Sequence, residues 1–216
     1  MTDAIDLILV RHGNTFGPGD AVVWVGKGED VPLVESGRAQ ALAFGETLRA
    51  ANWSPTGAVC GGLVRQLQHL ELATGGTPPP QRTLNLNEVD YGQWGGLSTD
   101  AIIERFGPTE VEAWNVRSEI PRAAGWPESG PEIEARVASF AAAVARGDFG
   151  PRVLACSSNG LLRWFLKLVP GAFESAIERS EFKVKTGHYG RLSHGPDGWA
   201  LSSWNQPPNA PLAGGL

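Results

Sequence analysis

Arg11, His12 and Gly13 stand directly after the almost wholly apolar run Ile5–Val10. A charged pair at the end of a buried strand is costly unless it opens onto a cleft. A neutral imidazole can attack phosphorus and hold the phosphoryl group. Arginine offers a planar fork of donors that matches phosphate oxygens. Gly13 allows a turn and close backbone approach. The tripeptide therefore suits phosphate handling by His12. It suits equally well a solvated Arg-His pair that closes a strand, so its companions decide.

The elements that would position these residues are readable in outline. Ile5–Val10 is branched and apolar, as in a strand buried on both faces. Residues 13–32 are rich in Gly and Pro and read as a loop. Gly37–Ala50, preceded by Ser36, has a helical apolar face through Ala39, Leu42, Ala43 and Leu48. Ala58–Cys60 reads as a second strand and Leu63–Ala73 as a second helix. Residues 81–97 look irregular, and 99–106 suit a short helix. Residues 107–131 are broken by proline and glycine around Trp114 and Trp126 and read as an insertion. Glu132–Ala145 carries Ile133, Val137, Phe140 and Val144 on one face. Val153–Ser157 is a third strand, and Gly160–Leu168 a helix after it. Lys183–Lys185 and Trp199–Trp204 suit late strands.

Strands alternating with helices imply a three-layer α/β/α sandwich with a mostly parallel central sheet. In such sheets ligands sit beyond the carboxyl ends of the strands. That rule predicts that Arg11–Gly13, Gly61–Arg65 and Ser157–Gly160 meet. One domain over 1–206 is expected, with a lid at about 98–131 and a loose tail over 207–216.

The composition narrows the classes. The chain has 216 residues, 42% hydrophobic and 19% charged, which is ordinary for a globular domain. A net charge of −5 argues against a nucleic-acid partner. No run reaches the length of a membrane span, so no membrane partner is expected. Cys60 and Cys156 lack metal-ligand spacing and read as small buried residues. A strand begins almost at once, without a leader pattern, and a cytoplasmic protein is expected. No glycine pattern makes a P-loop or a dinucleotide fingerprint. The eight tryptophans read as core and lid packing, with Trp94 the one near Glu88. Oligomeric state is open, a homodimer included.

Four motifs in order give a resemblance. Leu7–Thr15 reads LILVRHGNT. Pro32–Ala41 reads PLVESGRAQA. Leu63–Gln68 reads LVRQLQ. Asn87–Leu97 reads NEVDYGQWGGL. Together they resemble the histidine phosphatase superfamily, also called phosphoglycerate-mutase-like. The resemblance implies that His12 accepts a phosphoryl group and that Arg11 and Arg65 clamp its oxygens. It implies that Glu88 protonates the leaving oxygen and later activates water. Asn14 and Thr15 would touch the phosphate or a substrate hydroxyl. The implied activity is a phosphomonoesterase on a small phosphorylated substrate, with no cofactor and no metal. A mutase-type phosphotransferase is the nearest alternative. It needs a second anion site, for which Arg105, Arg117 and Arg122 are the candidates. A serine hydrolase using Ser157 or Ser158 is the most distant.

One position departs from the family pattern. The family places a second histidine after the third strand, and here that position is Ser158, in Cys156–Gly160 (CSSNG). Losing one preorganised donor costs roughly a hundred- to a thousandfold in rate. Ser158 and Asn159 can still hydrogen-bond a phosphate, without formal charge. A member that binds a phosphorylated ligand without turnover is therefore a third alternative. His188, in a Thr-Gly-His segment, and His69, one turn beyond Arg65, are the candidates to compensate. His194 reads as a hairpin-turn residue.

Overall fold

A computed structural model describes residues 4–212. Six strands form one sheet: β1 (Ile5–Arg11), β2 (Gly57–Cys60), β3 (Gln81–Arg82), β4 (Arg152–Ser157), β5 (Tyr189–Gly195) and β6 (Gly198–Gln206). Their spatial order is β3-β2-β4-β1-β5-β6. Pairing is parallel from β3 to β1, and antiparallel at β1–β5 and β5–β6. The sheet is thus a parallel half extended by a hairpin. The helices are α1 (Glu35–Ala50), α2 (Val64–Thr74), α3 (Thr99–Phe106), α4 (Pro108–Arg117), α5 (Gly130–Ala145), α6 (Asn159–Leu162) and α7 (Ala172–Glu178).

The alternation along β1 explains the layers. Leu7 and Leu9 pack on the side of α5, with Ile133, Val137, Phe140 and Val144. Ile8 and Val10 pack on the side of α1 and α2, with Phe44, Leu48 and Leu70. Strand β4 alternates likewise, Val153 and Ala155 against Leu154 and Cys156. Both faces of the central strands are buried, which is why these strands read as continuous apolar runs. Cys60 and Cys156 are free, buried register partners in β2 and β4. Asp6, buried in β1, is held by Arg191 at 2.7 and 2.8 Å and by the Trp53 indole N–H at 2.6 Å.

Several boundaries differ from expectation. Helix α1 starts at Glu35, so Ser36 lies inside it rather than capping it. Helix α5 starts at Gly130, because Ser129 and Glu132 form a capping box. Lys183–Lys185 is not a strand. Its backbone is engaged by side chains instead: Asn159 accepts from the Val184 N–H, and Arg11 donates to the Val184 carbonyl. The segment 98–131 carries α3 and α4. Trp114 and Trp126 pack against Tyr91, and Trp126 also against Trp94. Tail residues expected to be loose touch the domain: Thr47 donates to the Pro208 carbonyl, and Tyr189 to the Ala210 and Pro211 carbonyls. Residues 213–216 lie outside the described residues. Among the described residues no helix is long and apolar enough to cross a membrane.

Candidate active site

Register brings the chemistry together. Arg11 pairs with Ser157, and Cys60 with Cys156, so the ends of β1, β2 and β4 share one edge. The His12 N–H donates to the Ser157 carbonyl at 3.1 Å, and the Gly187 N–H to the Arg11 carbonyl at 3.1 Å. The turn after His12 needs glycine twice. A Cβ on Gly13 would run into the Gly37 backbone, and one on Gly37 into Asn14. Gln40 accepts from the Asn14 N–H at 2.8 Å and donates to the Thr186 carbonyl at 3.1 Å. The motif from Pro32 to Ala41 therefore shapes the loop that presents His12.

Buried His12 has a defined tautomer. Its Nδ1 lies 2.8 Å from the Gly13 carbonyl, which can only accept, so the proton belongs on Nδ1. The lone pair on Nε2 then accepts from Arg65 Nε at 3.2 Å. Burial lowers the His12 pKa well below its ordinary 6.5, and the Arg65 and Arg11 charges lower it further. The resting side chain is a neutral imidazole with Nε2 turned to a cation.

Arg65 is anchored as well as aimed. It donates to the Glu29 carbonyl at 2.7 Å and the Gly26 carbonyl at 3.0 Å. Arg11 is fixed on the Val184 carbonyl at 2.8 Å, and its Nε is buried without a partner. Glu88 accepts from the N–H groups of Val89, Gly160 and Leu161 and from the Tyr91 hydroxyl. Tyr91 sits among Trp24, Trp114 and Trp126. Burial, then the neighbouring Glu88 charge, pushes its pKa well above 10.

These groups line a cleft of about 380 Å³. Arg11, His12, Asn14, Thr15, Arg65, Glu88 and Asn159 all face it, as the sequence suggested. Ser158 does not: it is buried behind the wall, where its Oγ accepts from Gln66 at 3.1 Å. His188 does not either, because its Nδ1 is bonded to the Asn205 carbonyl at 3.0 Å. His69 is fully buried, and its Nδ1 accepts from the Gly13 N–H at 3.1 Å. It supports the loop rather than supplying charge, since burial pushes its pKa down to about 3. Trp94 is buried in the aromatic cluster and does not line the cleft itself, packing against Trp24, which does. Arg105, Arg117 and Arg122 also lie outside the lining. Arg105 and Arg117 are turned to Gln93 and Glu119.

Among the lining residues that the strand-and-helix reading does not place at the site are Tyr91, Asn115, Arg163 and Lys183. Tyr91 lies in the matched Asn87–Leu97 motif and Arg163 in the helical stretch after the third strand, but only the fold gives them a direction. Arg163 is buried, stacked on Trp114 and Phe182, and bonded to the Trp114 carbonyl and the Ser118 hydroxyl.

The profile of the histidine phosphatase superfamily (branch 1) matches residues 7–207. The chain belongs to this superfamily. A 2,3-bisphosphoglycerate-dependent phosphoglycerate mutase of Rhizobium etli is 32% identical over 143 residues, 62% of this chain and 64% of that protein's length. The alpha-ribazole phosphatase of Shigella flexneri superposes with a TM-score of 0.77 at 22% identity, covering 98% of this chain and 100% of that one. The phosphate complex of a mycobacterial glucosyl-3-phosphoglycerate phosphatase gives 0.74 at 23% identity, covering 95% and 99%. The histidine phosphatase fold thus extends over essentially the whole described chain.

Proposed function

We propose that the protein is a phosphomonoesterase that works through phospho-His12 on a small phosphorylated metabolite, without a metal. One observation carries the reading. The Gly13 carbonyl fixes the His12 proton on Nδ1 and leaves Nε2 facing Arg65 inside the cleft. Nε2 attacks phosphorus while the ester P–O bond breaks. Arg11 and Arg65 stabilise the non-bridging oxygens as charge builds on them. The leaving oxygen gains a proton from a group on the cleft wall. Water then loses a proton, attacks phospho-His12, and releases phosphate and the free imidazole.

Hydrolysis is favoured over mutase chemistry because the arginines expected to hold a second anion lie outside the cleft. The test is turnover of p-nitrophenyl phosphate in EDTA by the wild type and by His12→Ala. Wild-type turnover abolished by His12→Ala is expected. Undiminished turnover by the variant overturns the assignment. Tight vanadate binding with no turnover across a panel of phosphate esters would instead identify a binding protein.

A further inference from the structure

Besides Arg11, His12 and Arg65, the cleft has a second polar wall, formed by Asn115, Asn159 and Lys183. A cleft of about 380 Å³ is the size of a whole small-molecule site, so room remains past a phosphoryl group. This wall is built from donors. Lys183 Nζ donates to Asn115 Oδ1 at 3.1 Å, the one hydrogen bond its side chain makes among the described residues. An ammonium has three N–H groups, so two are left over. It can only donate, so Asn115 turns its oxygen to Lys183 and keeps its Nδ2 free. Asn159 is fixed by the same logic. Its Oδ1 accepts from the Val184 N–H at 2.9 Å, which leaves its Nδ2 free. Neither Nδ2 is sealed off by protein. The acceptor ends of both amides are thus engaged inside the protein, and the N–H groups are open.

Charge points the same way. Lys183 is half-buried, yet among the described residues no carboxylate pairs with it. Burial, then the Arg163 and Arg11 charges, lowers its pKa, as expected of a cation without a counter-ion. Among the described lining residues Glu88 is the one carboxylate, against Arg11, Arg65, Arg163 and Lys183. A phosphate answers Arg11 and Arg65 and leaves Lys183 unanswered. A substrate hydroxyl would find no free side-chain acceptor on this wall for its own proton. An ionised carboxylate or phosphate only accepts and fits a wall of donors. The wall is also tied to Arg11. Val184, next to Lys183, gives its carbonyl to Arg11 at 2.8 Å and its N–H to Asn159.

We propose that Lys183, Asn115 and Asn159 form a subsite for a second anionic group of the substrate, a carboxylate or a further phosphate, so that the substrates are phosphate monoesters with an anionic tail. This rests on the phosphomonoesterase reading, with water still the acceptor of the phosphoryl group. The subsite binds and orients the tail, and takes no part in proton transfer.

The test compares esters that differ only at the tail: carboxyalkyl phosphates, alkanediol bisphosphates and hydroxyalkyl phosphates of matched lengths. At the best length, wild-type kcat/KM should favour an anionic tail over a hydroxyl by about tenfold or more. Whether the carboxylate or the bisphosphate gains more names the tail. Lys183→Met should bring the ratio to about one, and Lys183→Arg should keep most of it. Asn115→Asp sets a carboxylate against Lys183 and should also collapse the ratio. A loss that falls on every ester alike cancels in the ratio, so a merely structural effect does not imitate the result. A wild-type ratio within about twofold of one at every length overturns the subsite. So does an anionic preference that survives Lys183→Met. Turnover by His12→Ala, or none by the wild type, counts instead against the phospho-His12 reading. The same ratio, read then from dissociation constants by calorimetry, still decides the subsite.

Discussion

The Gly13 N–H donates to His69 Nδ1 across 3.1 Å, so a buried neutral histidine fixes the backbone beside His12. This pairing couples the β1 loop to α2, the helix that also delivers Arg65. It also couples folding to pH.

The His69 pKa falls from 6.5 to about 3 on burial. Between those values the unfolded chain binds the proton that the native state refuses. The stability is therefore fully present above about pH 6.5 and is lost as pH falls toward 3. The slope is about 1.4 kcal/mol per pH unit for one group. His12 acts in the same direction, so the test must isolate His69. In His69→Asn the amide oxygen can still accept from Gly13 but does not titrate. Urea unfolding between pH 4 and 7 should give a shallower decline for the variant by about that slope. Parallel curves would show that His69 does not set the dependence.

At Gly160 the backbone presses close against the site. A Cβ there would stand 2.5 Å from Glu88 Oε1 and 2.6 Å from Tyr91 Oη. Both neighbours are held, by backbone N–H groups and by the tryptophans. Gly160→Ala should lower stability by about 1–3 kcal/mol and reduce turnover as Glu88 shifts. Thermal unfolding and kcat measured together check this. A variant as stable and active as the wild type would mean that the segment gives way freely.

Much of the fold is legible in the sequence. The apolar runs gave β1, β2 and β4, and the rule of carboxyl ends placed Arg11, His12 and Arg65 together. Directions of single side chains were not legible. Ser158 follows β4 as expected, yet Gln66 draws its hydroxyl behind the wall. His188 follows a Thr-Gly pair, yet Asn205 of β6 claims it. Lys183 looked like a strand residue because its neighbours alternate. Asn159 and Arg11 take the backbone bonds of Val184 and leave Lys183 at the cleft. Each miss came from a long-range partner that local pattern does not encode.

The position of Ser158 gives a separable prediction. Its hydroxyl serves Gln66, not the cleft, so Ser158→Ala should cost about 1 kcal/mol of stability while vanadate inhibition stays within about twofold. Asn159 holds the Val184 N–H at 2.9 Å and thereby the segment that carries Lys183. Asn159→Ala should instead lower kcat. Vanadate inhibition weakened about tenfold by Ser158→Ala would place that hydroxyl on the phosphate.

The pH profile tests the charge around His12. In the proposed reaction only unprotonated Nε2 attacks, and burial with the Arg65 and Arg11 charges holds the His12 pKa well below 6.5. Protonation of His12 should therefore not begin to cost activity until the pH is well below that value. A phosphate monoester itself titrates near pH 6, so substrate ionisation, followed by phosphorus NMR, must be divided out. The corrected kcat/KM should then stay level as the pH falls from 7 through 6.5. Arg65→Met removes the largest charge acting on His12, and its acid limb should move to higher pH even though its activity is lower throughout. The position of the limb is independent of its height, so the loss of phosphate clamping does not mask the shift. A wild-type limb at 6.5, or the same limb in both proteins, would show that these charges do not govern His12.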